Sequence, residues 1–270
     1  MAIRSPTINI MEKAVRKAAR GLVRDFGEVE HLQVSIKGPA DFVTSADTKA
    51  ENILRGELRQ ARPDYGFLME EAGRVEGDGR HRWIVDPLDG TTNFLHGIPH
   101  FAISVALERD GELVAAIILD PLRDETFWAE KGGGAFVNDR RLRVSARREI
   151  TNAVIATGIP HRDRGDHATF LPMLARVMEA TAGVRRFGSA ALDLAWVAAA
   201  RYDGFFETAL SAWDIAAGIL LVREAGGYVS EIGGGHDMLG SGSVLAANTH
   251  LHLPLGHLLR PVTPGSATKR

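Results

Sequence analysis

Between residues 82 and 145 five short β-rich runs follow one another: RWIVD, FAISVALE, ELVAAIIL, ETFWAE, and AFVN leading to LRVS. The junctions are Asp110-Gly111, Asp120-Pro121, the Gly132 to Gly134 run and Asn138-Asp139, and such residues reverse a chain within a few positions. A largely antiparallel meander is the expected result. Its runs are apolar on both faces instead of alternating, so helices have to cover the sheet on both sides. That requirement sets the task of the flanking segments.

Met11, Ala14, Val15, Ala18, Ala19, Leu22 and Phe26 recur at spacings of three and four, which predicts one long N-terminal helix. A second helix is expected over 48–61, where Ala50, Ile53, Leu54, Leu58 and Ala61 share a face and Pro63 follows as a stop. Between them, Lys37-Gly38-Pro39 reads as a loop or hairpin tip. After Ile150 strands and helices alternate: AVIATG and a helix over 170–181, VRRF and a helix over 192–200, then GFFET and the helix WDIAAGILLVREAGG, closed by Gly226 and Gly227. YVSEI and SVLAAN read as strands ahead of a short last helix. The expected fold class is α/β (α+β), a layered αβαβα sandwich in which a largely antiparallel N-terminal sheet and a C-terminal α/β half share one site. The halves are 1–150 and 151–262, with a frayed, flexible tail over 263–270.

Composition removes several function classes. There are no cysteines, which excludes disulfides, thiolate metal sites and a cysteine nucleophile, so any metal must be held by oxygen or imidazole. No apolar run approaches the roughly 18 residues of a membrane helix. The opening residues read as an amphipathic helix, since charges interrupt their apolar positions and no small-residue cleavage site follows. A cytoplasmic protein with no membrane partner is expected. A formal charge of −2 supplies no general attraction for nucleic acid, and the basic run NDRRLRVSARRE reads as solvated surface. KGGGAF lacks the spacing of a phosphate loop and sits between strands, as a hairpin turn would. Trp83 and Trp196 read as packing, Trp213 as a wall behind Asp214, and His96 and His100 as structural or solvent-facing.

The stretch WIVDPLDGTTNFLHGIP places Asp86 and Asp89 three positions apart where an apolar strand gives out, with Pro87 between them and a helical turn expected after Gly90. Two carboxylates and the Leu88 carbonyl could converge on a hard divalent cation such as Mg²⁺. The amides of Gly90, Thr91 and Thr92 could meet an anion at the start of that turn. Taken alone, Asp89 reads as a helix cap and Asp86 as a turn residue. Asp47 in DFVTSAD, Glu70 and Glu71 after YGFLM, and Asp214 in SAWDIAAG each read alone as caps or surface acids. Together they are acids set repeatedly at junctions between apolar elements, where burial without a cation is unfavourable.

WIVDPLDGTTNFLHGIP and WDIAAGILLVREAGG resemble the two signature motifs of the inositol monophosphatase family of Mg²⁺-dependent phosphatases, and DFVTSAD and the Glu70-Glu71 pair fall in matching places. The similarity runs from about residue 8 to 250. Lys37 and RFGSAALDLAWVAAARYDGFFE fit it too, the latter being especially similar to bacterial members. The resemblance implies two or three Mg²⁺: one on Glu70, Asp86 and the Leu88 carbonyl, one on Asp86, Asp89 and Asp214, and a weaker one on Glu70 and waters. It implies hydrolysis by a metal-activated water that Thr91, hydrogen-bonded to Asp47, orients or deprotonates along with Glu70. Gly188, Ser189 and Ala190 would line the substrate pocket, and Glu207 and Asp89 would meet sugar or inositol hydroxyls. Two departures bear on detail: Met69 stands where the family usually has glycine, and Ser211 where relatives often carry a larger polar or basic residue. The substrate implied is inositol monophosphate or a similar small polyol or sugar phosphate, and a lithium-sensitive homodimer is expected. Fructose 1,6-bisphosphate or a nucleotide 3′-phosphate are alternative substrates, with Arg185 and Arg186 as a weak second-phosphate site. A contact with the transcription machinery through the basic run 140–148 is the alternative from another class.

Overall fold

The structure is a computed structural model and describes residues 4–28, 34–38, 41–161 and 165–260. The tail expected over 263–270 lies outside the described residues, as does the side chain of Lys37.

Helix α1 (Pro6–Phe26) opens with Ser5 accepting from the Ile8 amide and Pro6 at the first turn, where its missing N–H is harmless. A hairpin of β1 (Val34–Gly38) and β2 (Asp41–Thr44) leads into α2 (Ser45–Ala61). This helix begins three residues earlier than expected, which puts Asp47 inside its first turn.

The first sheet contains β3 (Gly66–Met69), β4 (Gly73–Val75), β5 (His81–Asp89), β6 (Ala102–Arg109), β7 (Glu112–Asp120), β8 (Glu125–Glu130), β9 (Gly134–Val137) and β10 (Arg140–Arg141), with the short helix α3 (Thr91–Leu95) between β5 and β6. Its order is β10-β9-β8-β7-β6-β5-β3-β4, antiparallel except for the β3–β5 pair. Burial on the two faces alternates with the pleat. Trp83, Val85, Ile103, Val105 and Ile117 pack on α1 and α2. Ile84, Ala102, Ala106, Ala116 and Ala129 face the other way, and these small side chains let a helix approach closely.

The second half holds β11 (Val154–Thr157), α4 (His167–Ala180), β12 (Gly183–Arg185), α5 (Ala190–Ala198), β13 (Gly204–Glu207), α6 (Ala212–Glu224), β14 (Tyr228–Ser230), α7 (Met238–Ser241), β15 (Val244–Ala247) and α8 (His252–Leu259). Its sheet runs β12-β11-β13-β15-β14. Helices α5 and α6 are buried on nearly all sides because they lie between the two sheets, in one core that joins Ile84 and Ala116 to Phe205 and Ala246. Helices α4 and α8 close the far side. The layers are therefore helix, sheet, helix, sheet, helix, as expected. The Gly132 to Gly134 turn proves structural: Glu224, at the end of α6, accepts from the Gly132 and Gly134 amides at 2.8 Å each. Among the described residues no helix is long and apolar enough to cross a membrane.

Candidate active site

Strand β5 does not end at Asp86, as the sequence suggested, but runs on to Asp89 through a bulge. Asp86 pairs with Ser104 and Asp89 with Ala102, so Pro87 and Leu88 together face one residue of β6. Proline has no N–H for a ladder and is at home there. In a regular strand, residues three apart point to opposite faces; one extra residue restores the same face. Asp86 thus shares the face of Ile84, the side covered by α6, and the bulge turns Asp89 toward it.

Asp86 is 1% exposed, and one of its oxygens accepts from the Leu88 amide at 2.9 Å. Burial pushes its carboxyl well above the usual carboxylate range, and Glu70, Asp89, Asp214 and Asp47 push it further the same way. Acids from four separate segments therefore converge on it. Asp214 lies in the first turn of α6, where one oxygen accepts from the Ser211 amide at 2.8 Å. Ser104, opposite Asp86, reaches the Trp213 carbonyl at 3.4 Å and ties that turn to the sheet.

Glu70 and Glu71 begin the three-residue turn between β3 and β4, which Gly73 completes at φ +70°. Met69 is fully buried in the β3 ladder beside Val85, so its bulk goes into the core and leaves the turn alone. Asp47, Glu70 and Glu71 each bring a carboxylate oxygen within 4.8 Å of the others. Glu71 had no assigned role in the sequence reading. A donor set made only of carboxylate and carbonyl oxygen, with no thiolate anywhere in the chain, suits a hard divalent cation.

Thr91 departs from expectation. Its hydroxyl donates to the Leu88 carbonyl at 2.9 Å, so its single proton is engaged there and not on Asp47. Gly90, ahead of α3, sits at φ +95°, and a Cβ on it would lie 3.0 Å from the His100 carbonyl oxygen and 3.3 Å from that of Gly188. Only glycine lets these backbones meet. Asn93 fastens the same junction, its amide donating to the carbonyls of His100 at 2.8 Å and Phe187 at 2.7 Å. No periodicity in the sequence marks that residue.

On the opposite side, one Asp89 oxygen accepts from the Ser189 hydroxyl at 2.5 Å and the Ala191 amide at 2.8 Å, so the start of α5 holds it. Ser189 is 1% exposed and also caps α5, while Ala190 is nearly as buried. Of the expected pocket-lining group, Gly188 is the member with partial exposure. Glu207 ends β13 with its carboxylate over Gly158. His96 is exposed; His100 is buried against Phe187 and Trp196, and burial, followed by Arg123, pulls its imidazole down to about 4.

Asp193, an acid in the otherwise apolar helix α5, escaped the sequence reading although its surroundings could have marked it. It is 2% exposed, and burial, then Glu207 and Asp89, push its carboxyl well above the usual range against the opposing pull of Arg186. The native state then binds a proton that the unfolded chain has released, so this group's contribution to stability falls as pH rises above the ordinary carboxylate value. Asp193→Asn removes that slope. Its melting temperature relative to the parent is expected to climb by several degrees from pH 4 to pH 8; a difference that stays flat with pH would contradict a protonated Asp193.

The chain matches the model of the inositol monophosphatase family over residues 4–260. It is 63% identical over 246 residues to the inositol-1-monophosphatase of Mesorhizobium japonicum, covering 91% of this chain and 92% of that one. To the Nus factor SuhB of Escherichia coli it is 43% identical over 244 residues, or 90% and 91% of the two chains. The crystal structure of the extragenic suppressor protein SuhB from Bartonella henselae superposes with a TM-score of 0.93 at 57% identity, covering 95% of this chain and 99% of that one.

Proposed function

The chain belongs to the inositol monophosphatase family of phosphatases, and from that premise we propose that it is a Mg²⁺-dependent phosphomonoesterase acting on inositol monophosphate or a similar small polyol or sugar phosphate. The observation that carries this reading is the buried Asp86, on which Glu70, Asp89, Asp214 and Asp47 all bear. So many carboxylates crowded together in a partly buried site favour a bound cation. Glu70, Asp86 and the Leu88 carbonyl would hold one Mg²⁺, and Asp86, Asp89 and Asp214 a second. The triad of Asp47, Glu70 and Glu71 supports a third. When bound, Mg²⁺ makes water more acidic and offsets charge developing on the phosphoryl oxygens.

The chain's own groups do the rest. As water adds to phosphorus and the ester P–O bond breaks, Glu70, with Asp47, accepts the proton of the attacking water, and the departing alcohol oxygen takes a proton from solvent. Thr91, whose proton is given to Leu88, orients that water as an acceptor. The amides of Gly90, Thr91 and Thr92 receive the phosphate, and Gly188 with the start of α5 at Ser189 and Ala190 shapes the wall of the pocket. Glu207 and Asp89 accept from substrate hydroxyls. In this scheme the half spanning 1–150 provides the phosphate groups and all the metal groups but Asp214, while 151–262 adds Asp214 and, with Asp89, the sugar contacts. We also place the protein in the cytoplasm as a lithium-sensitive homodimer. Phosphate release from myo-inositol 1-phosphate tests the reading. It should depend on Mg²⁺, fall with added lithium and exceed release from fructose 1,6-bisphosphate and a nucleoside 3′-phosphate. No release with Mg²⁺ present, from that ester or from other small polyol and sugar phosphates, would refute the reading.

A second reading, contact with the transcription machinery, draws on the name of the Escherichia coli relative and on the exposed arginines of 140–148. Asn248 pins that segment by donating to the carbonyls of Ser145 and Arg147 at 2.9 Å each. Arg147 is paired with Asp203 at 3.1 Å, so charge reversal at Arg143 and Arg148 is the cleaner probe of a surface contact. Loss of RNA polymerase co-purification with hydrolysis intact would support this role.

A further inference from the structure

Glu51 stands one helical turn after Asp47 on α2 and is 4% exposed. Its carboxylate reaches across to the turn between β3 and β4 and accepts from the Glu71 amide at 2.9 Å with one oxygen and from the Ala72 amide at 3.0 Å with the other. That turn lies at the edge of the first sheet, since β4 is the last strand, three residues long and partly exposed. The ladder between β3 and β4 stops at the Met69–Gly73 pair, and beyond it Glu51 gives the Glu71 and Ala72 amides an acceptor. A carboxylate bound through both oxygens to adjacent amides fixes the orientation of the peptide planes as well as their distance.

The helix that carries Asp47 thus also grips the turn that carries Glu70 and Glu71. Those three acids approach one another within 4.8 Å although their charges repel. Left to itself, an edge turn would relieve the repulsion by swinging outward. We propose that Glu51 is a positioning residue that sets the metal affinity of the Asp47, Glu70 and Glu71 cluster by holding the turn against α2. Its two oxygens each accept from a turn amide, so its effect on the metal passes through the turn. The inference rests on the metal site proposed above, and groups that orient metal ligands at one remove typically change affinity by about 10–100-fold when altered.

The test compares the parent with Glu51→Gln and Glu51→Asp. Glutamine keeps one acceptor but turns an N–H₂ toward the other amide; aspartate keeps the charge but is one methylene too short to reach both. Binding of Mn²⁺ alone, without substrate, is followed by electron paramagnetic resonance and calorimetry. Both variants are expected to bind at least one Mn²⁺ about 10–100-fold more weakly. In turnover, half-saturation with Mg²⁺ should shift upward in parallel, while the KM for the phosphate ester at saturating Mg²⁺ stays within about threefold and kcat recovers. A purely structural Glu51 would instead lower the melting temperature and leave Mn²⁺ affinity within twofold of the parent, which overturns the proposal. Weakening in Glu51→Gln but not in Glu51→Asp would overturn it too, because charge and not geometry would then be responsible. A parent that binds no Mn²⁺ would overturn the metal site and this inference together.

Discussion

Asp86→Asn is expected to reduce Mg²⁺-dependent phosphate release about a thousandfold or more, while making the metal-free protein more stable. The two effects have one origin. Asp86 is the acid on which the others bear, and both proposed principal metals would share it, so removing its charge weakens both. A loss of ~4 kcal/mol of transition-state stabilisation, the scale on which a bound cation acts, corresponds to about that factor. Asparagine retains an oxygen that can accept from the Leu88 amide, so the bulge keeps its hydrogen bond. Without metal, the buried charge opposes folding. Burial and four neighbouring acids raise the Asp86 carboxyl, so the native state holds more protons than the unfolded chain above the ordinary carboxylate value, and stability falls as pH rises through that window. The substitution abolishes this fall. In chelator, the variant should melt above the parent at pH 8 and close to it at pH 4; with Mg²⁺ the order should reverse, because only the parent gains the linkage stabilisation of about 2.7 kcal/mol per site at a hundredfold excess over Kd. Turnover within tenfold of the parent would remove Asp86 from the site.

The same residue shows where sequence reading reaches its limit. That Asp86 and Asp89 stand out at the end of a buried strand was legible, because acids at the end of an apolar run are rare unless something compensates them. How they come to face one spot was not. A period of two places residues three apart on opposite faces, and the bulge opposite Ile103 that corrects this leaves no mark except Pro87. The meander was legible because its turns carry Asp-Gly, Asn-Asp and triple-glycine signals, and its double-sided burial foretold the helices on either side. Strand β4 was not: Gly73, Arg74 and Val75 form an edge strand of three residues, too short for a period to register in the sequence. The acids were readable one by one, whereas the groups that hold them in place were not. Glu51, Asn93 and Ser189 act on backbone amides, carbonyls and a carboxylate from distant segments, and such partners appear only once the layers are stacked. Asp193 is the exception, since a lone acid in AALDLAWVA is already anomalous as a string of letters.

Gly158→Ala is expected to raise the KM for a polyol phosphate about 10–100-fold with kcat and melting temperature close to those of the parent. A Cβ at this position would lie 1.9 Å from one Glu207 oxygen and 2.3 Å from the other, so the carboxylate must leave its place over the glycine. The clash is with the far end of a side chain, no left-handed backbone is needed at Gly158, and Glu207 is only partly buried. What changes is where an acceptor for substrate hydroxyls points. A hydrogen bond to a charged group is worth about 1.5–3 kcal/mol, which corresponds to the stated range of KM when the contact exists equally in ground and transition states. The effect should depend on the substrate: inositol 1-phosphate should lose most, and a phosphate ester with no hydroxyl that reaches Glu207 should lose little. Steady-state kinetics on the two esters separates the possibilities. A selective rise in KM would make Glu207 the group that reads the alcohol portion of the substrate. Equal KM values for parent and variant on both esters would make Glu207 a surface acid at a strand end, and specificity would then have to come from Gly188 and the start of α5.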